Sequence, residues 1–314
     1  MKIRPTPSKC KEWLLNVVKL IFIVGFCFII LQPIIVMLSK ALMGQADIFD
    51  NSVVIIPKTL TFFNIEFAMQ IMDYFPTLGN TLWYASTTTI LQTFASVCVG
   101  YGLARFDFKG KSLIMALVIF TIIIPPQLIM VPLYMHFRFF DIFGIYGLIT
   151  GEAGINLLDS FTPFYMLSLG CMGIKNGIFV YMFRQFFKNI PKETEEAALV
   201  DGAGAYRIFF KIMIPAATTM IVTVLLFSLV WQYNDTTYTN LFLKNTRVLS
   251  MTYSAFSNIA VSAMSDMQAY LKTDEYIAVL KSTGVLLMMA PLLIVYLLLQ
   301  RYFVDGIERS GIVG

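Results

Sequence analysis

The sequence predicts an all-α, polytopic membrane protein of six transmembrane helices, with a helical cytoplasmic loop between spans 4 and 5. Three observations carry that prediction. The chain is very apolar: 58% of its 314 residues are hydrophobic and 13% are charged, against about 25% charged in soluble domains, and its mean hydropathy is +0.74. Six apolar windows reach the roughly 20 residues that a helix needs to cross about 30 Å of hydrocarbon. One polar, glycine-punctuated segment, residues 188–215, lies between the fourth and fifth windows.

The windows are Leu20–Leu38, Leu78–Gly102, Leu113–Leu133, Phe161–Phe187, Pro215–Tyr233 and Ser282–Tyr302. Backbone polar groups in lipid must be paired within the segment, and these runs lack the alternation of barrel strands, so each is read as a helix. The first is too long for a signal-peptide core and has no small-residue cleavage site after it, which predicts an uncleaved helix. Pro125-Pro126 in the third and Pro291 in the sixth remove helical donors and predict kinks. The dispersed cysteines Cys10, Cys27, Cys98 and Cys171 have no metal or disulfide spacing and read as small apolar residues.

Lys and Arg set the orientation. Of 23 basic residues, fifteen fall on one side: Lys2, Arg4, Lys9, Lys11 and Lys19, then Arg105, Lys109 and Lys111, then Arg184, Lys188, Lys192, Arg207 and Lys211, and finally Arg301 and Arg309. The longer opposite loops share eight. Both termini are therefore assigned to the cytoplasm: a tail at 1–19, the six-helix transmembrane domain at 20–302 with its loop at 188–215, and a tail at 303–314. This bias accounts for the net charge of +4, and no nucleic-acid partner is expected. The outer loops at about 39–77 and 234–281 mix aromatic and polar residues and read as folded caps.

Within the loop, Pro191 suits a first helical turn, Glu193, Glu195 and Glu196 favour the positive end of the helix dipole, and Gly202 suits a left-handed stop. A second short helix, about Ala205–Ile212, is expected to lead to Pro215 and the fifth span. Ala197, Ala198 and Ala203 are small enough for a partner to approach closely, and Tyr206, Phe209 and Phe210 supply aromatic anchors. The bland alternative is a helical connection packed on its own bundle.

The spacing Glu196-Ala197-Ala198, three residues, Gly202, nine residues, Ile212-Met213-Ile214-Pro215 resembles the loop by which membrane subunits of ABC importers grip their ATPase. Tyr101 to Lys111 (YGLARFDFKGK), Ile124-Pro125-Pro126 through Pro132-Leu133-Tyr134, Phe183-Arg184-Gln185-Phe186-Phe187, Trp231 to Asp235 (WQYND) and Gln300 to Gly306 (QRYFVDG) are similar to carbohydrate-type permeases of the maltose-importer second kind. The resemblance runs from about residue 78 to the C-terminus; residues 1–77 match only loosely, and the ending Gly311-Ile312-Val313-Gly314 lacks the family's usual Lys. It implies an ABC ATPase dimer, a sister permease in a heterodimer, an extracytoplasmic solute-binding protein, no cofactor and a bacterial inner-membrane location. The docking set is Glu195, Glu196, Ala197, Ala198, Asp201, Gly202, Tyr206 and Phe209.

Lys175 lies thirteen residues before Lys188, about 20 Å along a helix, hence near the membrane midplane, where charge usually faces a cavity or a partner. Lys175 and Asn176, where the resembled permeases carry small or uncharged residues, are solute-pathway candidates. The alternative is a helix break at Gly173–Gly177 with Lys175 in a hydrated vestibule, or paired with Asp235. Trp231, Tyr233, Asn234 and Asp235 suit stacking and hydrogen bonding with a sugar; the alternative is an interfacial aromatic belt. His136 beside Arg138 reads as an interfacial residue, and Lys281 as one that snorkels.

No glycine-rich phosphate loop ending in Lys-Ser/Thr is present, so ATP hydrolysis belongs to the partner and the chain is no enzyme. One histidine and no carboxylate pair leave an intramembrane enzyme unsupported. The rival classes are a permease for glycerol phosphate, an amino acid or a peptide, and an ion-coupled secondary transporter. The last would show repeated halves or midplane acids, and the six windows hold neither.

Overall fold

The computed structural model describes residues 7–50, 52–53, 55–142, 144–264 and 273–311. Among them every regular element is helical, with two isolated antiparallel bridges, Met43 to Leu60 and Phe140 to Ile155. Lys2, Arg4 and residues 312–314 lie outside the described set, as do the side chains of Arg301 and Arg309.

Helix α1 (Pro7–Leu42) carries the first apolar window, and the short α2 (Gln45–Ile48) and α3 (Phe63–Met72) follow. Helix α4 (Tyr74–Arg105) is one rod of 32 residues. Helix α5 (Lys111–Ile123) stops just before Pro125-Pro126, and one 3-10 turn (Pro126–Leu128) separates it from α6 (Met130–Arg138). The expected kink is thus a full break, because two successive prolines remove two donors. After α7 (Ile145–Thr150), the fourth window is also divided, into α8 (Thr162–Leu169) and α9 (Asn176–Asn189).

The polar loop forms α10 (Glu193–Val200), α11 (Ala205–Ile208), a π-helical turn at Phe209–Met213 and the three-residue α12 (Ile214–Ala216). Helix α13 (Thr218–Tyr233) then departs at 72° from the segment before it. The fifth helix therefore starts after Pro215, not at it: that proline lacks the N–H needed to carry the preceding turn straight on. Helices α14 (Thr237–Phe242), α15 (Leu249–Ser254) and α16 (Phe256–Ala263) fill the last outer loop before α17 (Asp274–Gly311), a single helix through Pro291.

Among the described residues two helices are long and apolar enough to cross a membrane, Leu15–Leu42 and Asp274–Leu298, or three if the bent pair at Ala217 counts as one span. The other windows fall short for visible reasons. Windows three and four are cut by breaks, and α4 is diluted by buried Thr81, Thr88, Thr89, Gln92, Thr93 and Ser96.

The chain divides into two compact units. One joins the residues up to Met72 with Ala255–Met289. In it Asn64 donates to the carbonyls of Lys40 and Met43 and accepts from the Tyr276 hydroxyl, while Gly284 lets Phe256 and Met72 approach closely. The other holds Asp73–Ser254 and the end of α17, and α4 is its spine, packed along α9, α13 and α8. Its outer connection is organised by Asp159, whose carboxylate accepts the backbone N–H groups of Lys244, Asn245 and Thr246. Those bonds, that of Thr246 foremost, hold the Asp159 carboxyl well below the usual carboxylate range.

Candidate functional site

Three features of the second unit combine: the loop around α10, a buried polar ladder beside α4, and a cavity where two helix breaks meet.

Helix α10 begins with three glutamates in its first turn and ends at Asp201. Gly202 takes φ +80°, which an L side chain resists. Its N–H bonds the Leu199 carbonyl, and that of Ala203 bonds the Ala198 carbonyl, the pair of reversed bonds that closes a helix through a left-handed residue. One face of this loop is seated: Ala198, Ile208 and Met213 are buried in a cluster with Val97 and Tyr101 of α4 and Phe179, Phe183 and Phe187 of α9. Buried Arg105, at the end of α4, places Nε 3.2 Å from Oε1 of Glu195 and donates through Nη2 to the Ile190 carbonyl at 2.8 Å.

The eight residues of the docking set thus divide. Glu195 turns inward to Arg105, Ala198 is core, and Phe209 is half-buried against Tyr101. Ala198 is small, and it packs among the chain's own helices. Glu196, Ala197, Asp201, Gly202 and Tyr206 are exposed. The most open apolar side chains of the loop are Val200 at 87% and Tyr206 at 84% exposure, and Leu199 and Phe210 are exposed as well.

The polar ladder joins α4 to α13. Oε1 of Gln92 accepts from Nε2 of Gln232 at 2.8 Å and from the Ser228 hydroxyl at 2.9 Å, and Tyr84 donates to Oε1 of Gln232 at 2.9 Å. At its other end Gln92 donates to the backbone carbonyl of Ile174, in the break between α8 and α9. None of these four side chains was singled out from the sequence as a site residue. The available signal was uncharged polarity in the middle of an apolar window, at Gln92 and at Ser228.

That break is the one considered for Gly173–Gly177. Lys175 sits in it with φ +60°, as the residue that precedes α9. Gly177 lets the start of α9 lie against α5: a Cβ there would stand 2.5 Å from Oγ1 of Thr121 and 2.9 Å from the Val118 carbonyl. A cavity of about 360 Å³ lies between the two breaks, lined by Ile122 to Pro126 on one wall, by Cys171 to Ile178 on the other, and by Tyr238. Lys175 and Asn176 both line it.

The residues at the end of α13 make contacts within the chain. Trp231 packs on Phe179 and Phe227, Tyr233 is buried, and Asn234 donates to the Val230 carbonyl. The Asp235 carboxylate accepts the N–H groups of Thr237, Tyr238 and Thr239 at the start of α14. It caps a helix, and the described ion pairs do not join it to Lys175.

Comparison with known proteins adds to this geometry. Residues 96–309 match the family described as binding-protein-dependent transport system inner membrane component. The chain is 25% identical, over 94% of its length and 87% of the relative's, to the probable ABC transporter permease protein YurM of Bacillus subtilis. It is 24% identical to the arabinooligosaccharides transport system permease protein AraQ of Halalkalibacterium halodurans, over 98% of each chain. It is 26% identical to the melibiose/raffinose/stachyose import permease protein MelC of Bacillus subtilis, over 90% of this chain and 91% of the relative. In fold it is similar to a chain from the crystal structure of a bacterial ABC transporter involved in the import of the acidic polysaccharide alginate, with a TM-score of 0.71 at 20% identity, over 96% and 100% of the two chains.

Proposed function

We propose that this chain, which belongs to the family of binding-protein-dependent transport system inner membrane components, forms half of the translocation pathway of an ATP-driven importer of a sugar or oligosaccharide. A sister permease supplies the other half. An ABC ATPase dimer docks on the loop at 188–215, and an extracytoplasmic solute-binding protein delivers the solute. In this reading the chain crosses the bacterial plasma membrane six times, with α5–α6 and α8–α9 as broken spans and both termini in the cytoplasm. The carbohydrate assignment is supported by relatives named for arabino-oligosaccharides and for melibiose, raffinose and stachyose.

One observation carries the docking role: the loop is fixed on one face and open on the other. Exposed apolar surface gathered in one place marks interaction sites, and Leu199, Val200, Tyr206 and Phe210 stand exposed on a loop whose other residues Ala198, Ile208 and Met213 are buried in the α4–α9 cluster. ATPases closing on each other would push α10, and the seated contacts would pass that displacement to α9 as a rigid body. Helix α9 has 14 residues, about 21 Å at 1.5 Å per residue, and its far end is the break that lines the cavity. A push at one end therefore reshapes the solute path at the other. The chain positions and transmits, while hydrolysis takes place on the partner.

Co-purification of the ATPases with wild type, Glu196→Lys and Tyr206→Asp tests this. The expected result is loss of ATPase association by about tenfold or more in each variant, with the permease still folded. Variants that hold the ATPases and import solute at the wild-type rate would sink the docking assignment.

A further inference from the structure

We propose that the solute passing this permease is an acidic oligosaccharide, selected by Lys175 at the break between α8 and α9; the proposal rests on the carbohydrate-importer reading above. The cavity of about 360 Å³ there falls within the ~300–1,000 Å³ of small-molecule sites. Its wall of Ile122, Ile123, Ile124, Pro125 and Pro126 is apolar. Lys175 is the single charged residue among those that line it, and it makes no ion pair among the described residues. Asp235, the acid considered for it, is committed to the N–H groups of α14.

Two further observations point to a ligand. Asn176, which also lines the cavity, is 1% exposed and gives its Nδ2 to the Ser96 hydroxyl at 3.0 Å, while its buried Oδ1 has no hydrogen-bond partner. A buried acceptor left unpaired is costly, and a bound hydroxyl would relieve it. Lys175 also holds a left-handed backbone at φ +60°, which glycine or asparagine adopts at less cost.

The chemistry follows from the groups. The ammonium and the positive end of the 14-residue α9 lie on one side of the cavity with no countercharge, an arrangement that favours an anion. The Asn176 acceptor suits a sugar hydroxyl. A uronate, with its carboxylate and hydroxyls on one ring, satisfies both. A neutral sugar would strip water from the ammonium and return no charge to it.

The test uses the complete importer, with its ATPases, sister permease and binding protein, in proteoliposomes. Solute-stimulated ATP hydrolysis is measured against concentration for trigalacturonate and for maltotriose, an acidic and a neutral trisaccharide. Lys175→Asn removes the charge with a residue that tolerates the left-handed backbone, and Lys175→Arg keeps the charge. Because the binding protein is the same throughout, a change in the acidic-to-neutral ratio belongs to the permease. Wild type should respond to the acidic trisaccharide at lower concentration. Lys175→Asn should shrink that preference about tenfold, chiefly through the half-saturating concentration, and Lys175→Arg should restore most of it. Equal response to both sugars in wild type, or an unchanged ratio in Lys175→Asn, overturns the acidic assignment and leaves a carbohydrate importer standing. No response to either sugar, while an unrelated solute class stimulates hydrolysis, overturns the carbohydrate reading and this proposal with it.

Discussion

Gln92 holds two helices and a helix break through one side chain: its carbonyl oxygen receives Gln232 and Ser228 of α13, and its amide reaches the Ile174 carbonyl. Gln92→Leu should therefore cost more than one hydrogen bond, because it strands the Gln232 amide and the Ile174 carbonyl and leaves the Ser228 hydroxyl only its 3.3 Å bond to Thr89. Each orphan costs about 1–3 kcal/mol in soluble proteins, but interhelical bonds in membranes average nearer 0.6 kcal/mol. A net loss of about 2 kcal/mol, read as a lower unfolding midpoint in detergent, is expected. Adding Gln232→Leu removes a stranded partner, so the double variant should lose less than the sum of the two single ones. Strict additivity would show that the ladder is not a unit. A network of this kind is nearly invisible in sequence, since Gln92 and Gln232 are 140 positions apart. A long separation likewise hides the pairing of Arg105 with Glu195, which sits beside a legible motif. The exposed Glu196, Asp201 and Gly202 were readable because their spacing is local.

Elements were legible where the cause was local. Pro125-Pro126 marks an interruption, expected as a kink and found as a full break, and Gly202 marks a helix stop. The break at Lys175 was legible only as an alternative, because glycines in a membrane segment serve tight packing as often as breaks. Here they do both. Gly100 shows the packing role: a Cβ on it would lie 2.5 Å from the Cβ of Phe183 and 3.0 Å from the backbone nitrogen of Arg184. Gly100→Ala must push α9 off α4, since backbone cannot yield as a flexible side chain does. The expected cost is about 1–3 kcal/mol, the range for overpacking, with a drop in the unfolding midpoint. A neutral Gly100→Ala would mean that α4 and α9 are looser than described. The outer connection gives a pH test. The Asp159 carboxylate is held well below its ordinary value by the N–H groups of Thr246, Lys244 and Asn245. A depressed folded value means its contribution is fully present above the unfolded value of about 3.9 and fades as pH falls through the folded one. Hydrogen exchange at Lys244, Asn245 and Thr246, corrected for intrinsic rates, should stay slow at pH 5. Asp159→Asn should speed it at neutral pH, and protection lost already at pH 5 would contradict the bonding.

At the scale of the whole molecule, the proposed work of the chain is to convert displacement at the α10–α11 loop into reshaping of the cavity past the far end of α9. Such a lever needs a stiff seat as well as a docking face, and the two are separable. Met213 is fully buried beneath the loop, in the cluster with Phe179, Phe183 and Phe187, and belongs to the seat alone. Met213→Ala leaves Glu196, Val200 and Tyr206 untouched and opens a cavity under them, at a cost of about 2–5 kcal/mol for a methionine truncated in a core. If docking alone sufficed, the variant would bind its ATPases and import normally. If the seat transmits the stroke, the ATPases should still co-purify and hydrolyse ATP, while solute imported per ATP falls several-fold. Met213→Leu, which nearly conserves volume, should restore most of that ratio. Hydrolysis and import falling together, in proportion, would instead mean that the loop has come off its partner, and the division between seat and face would be wrong.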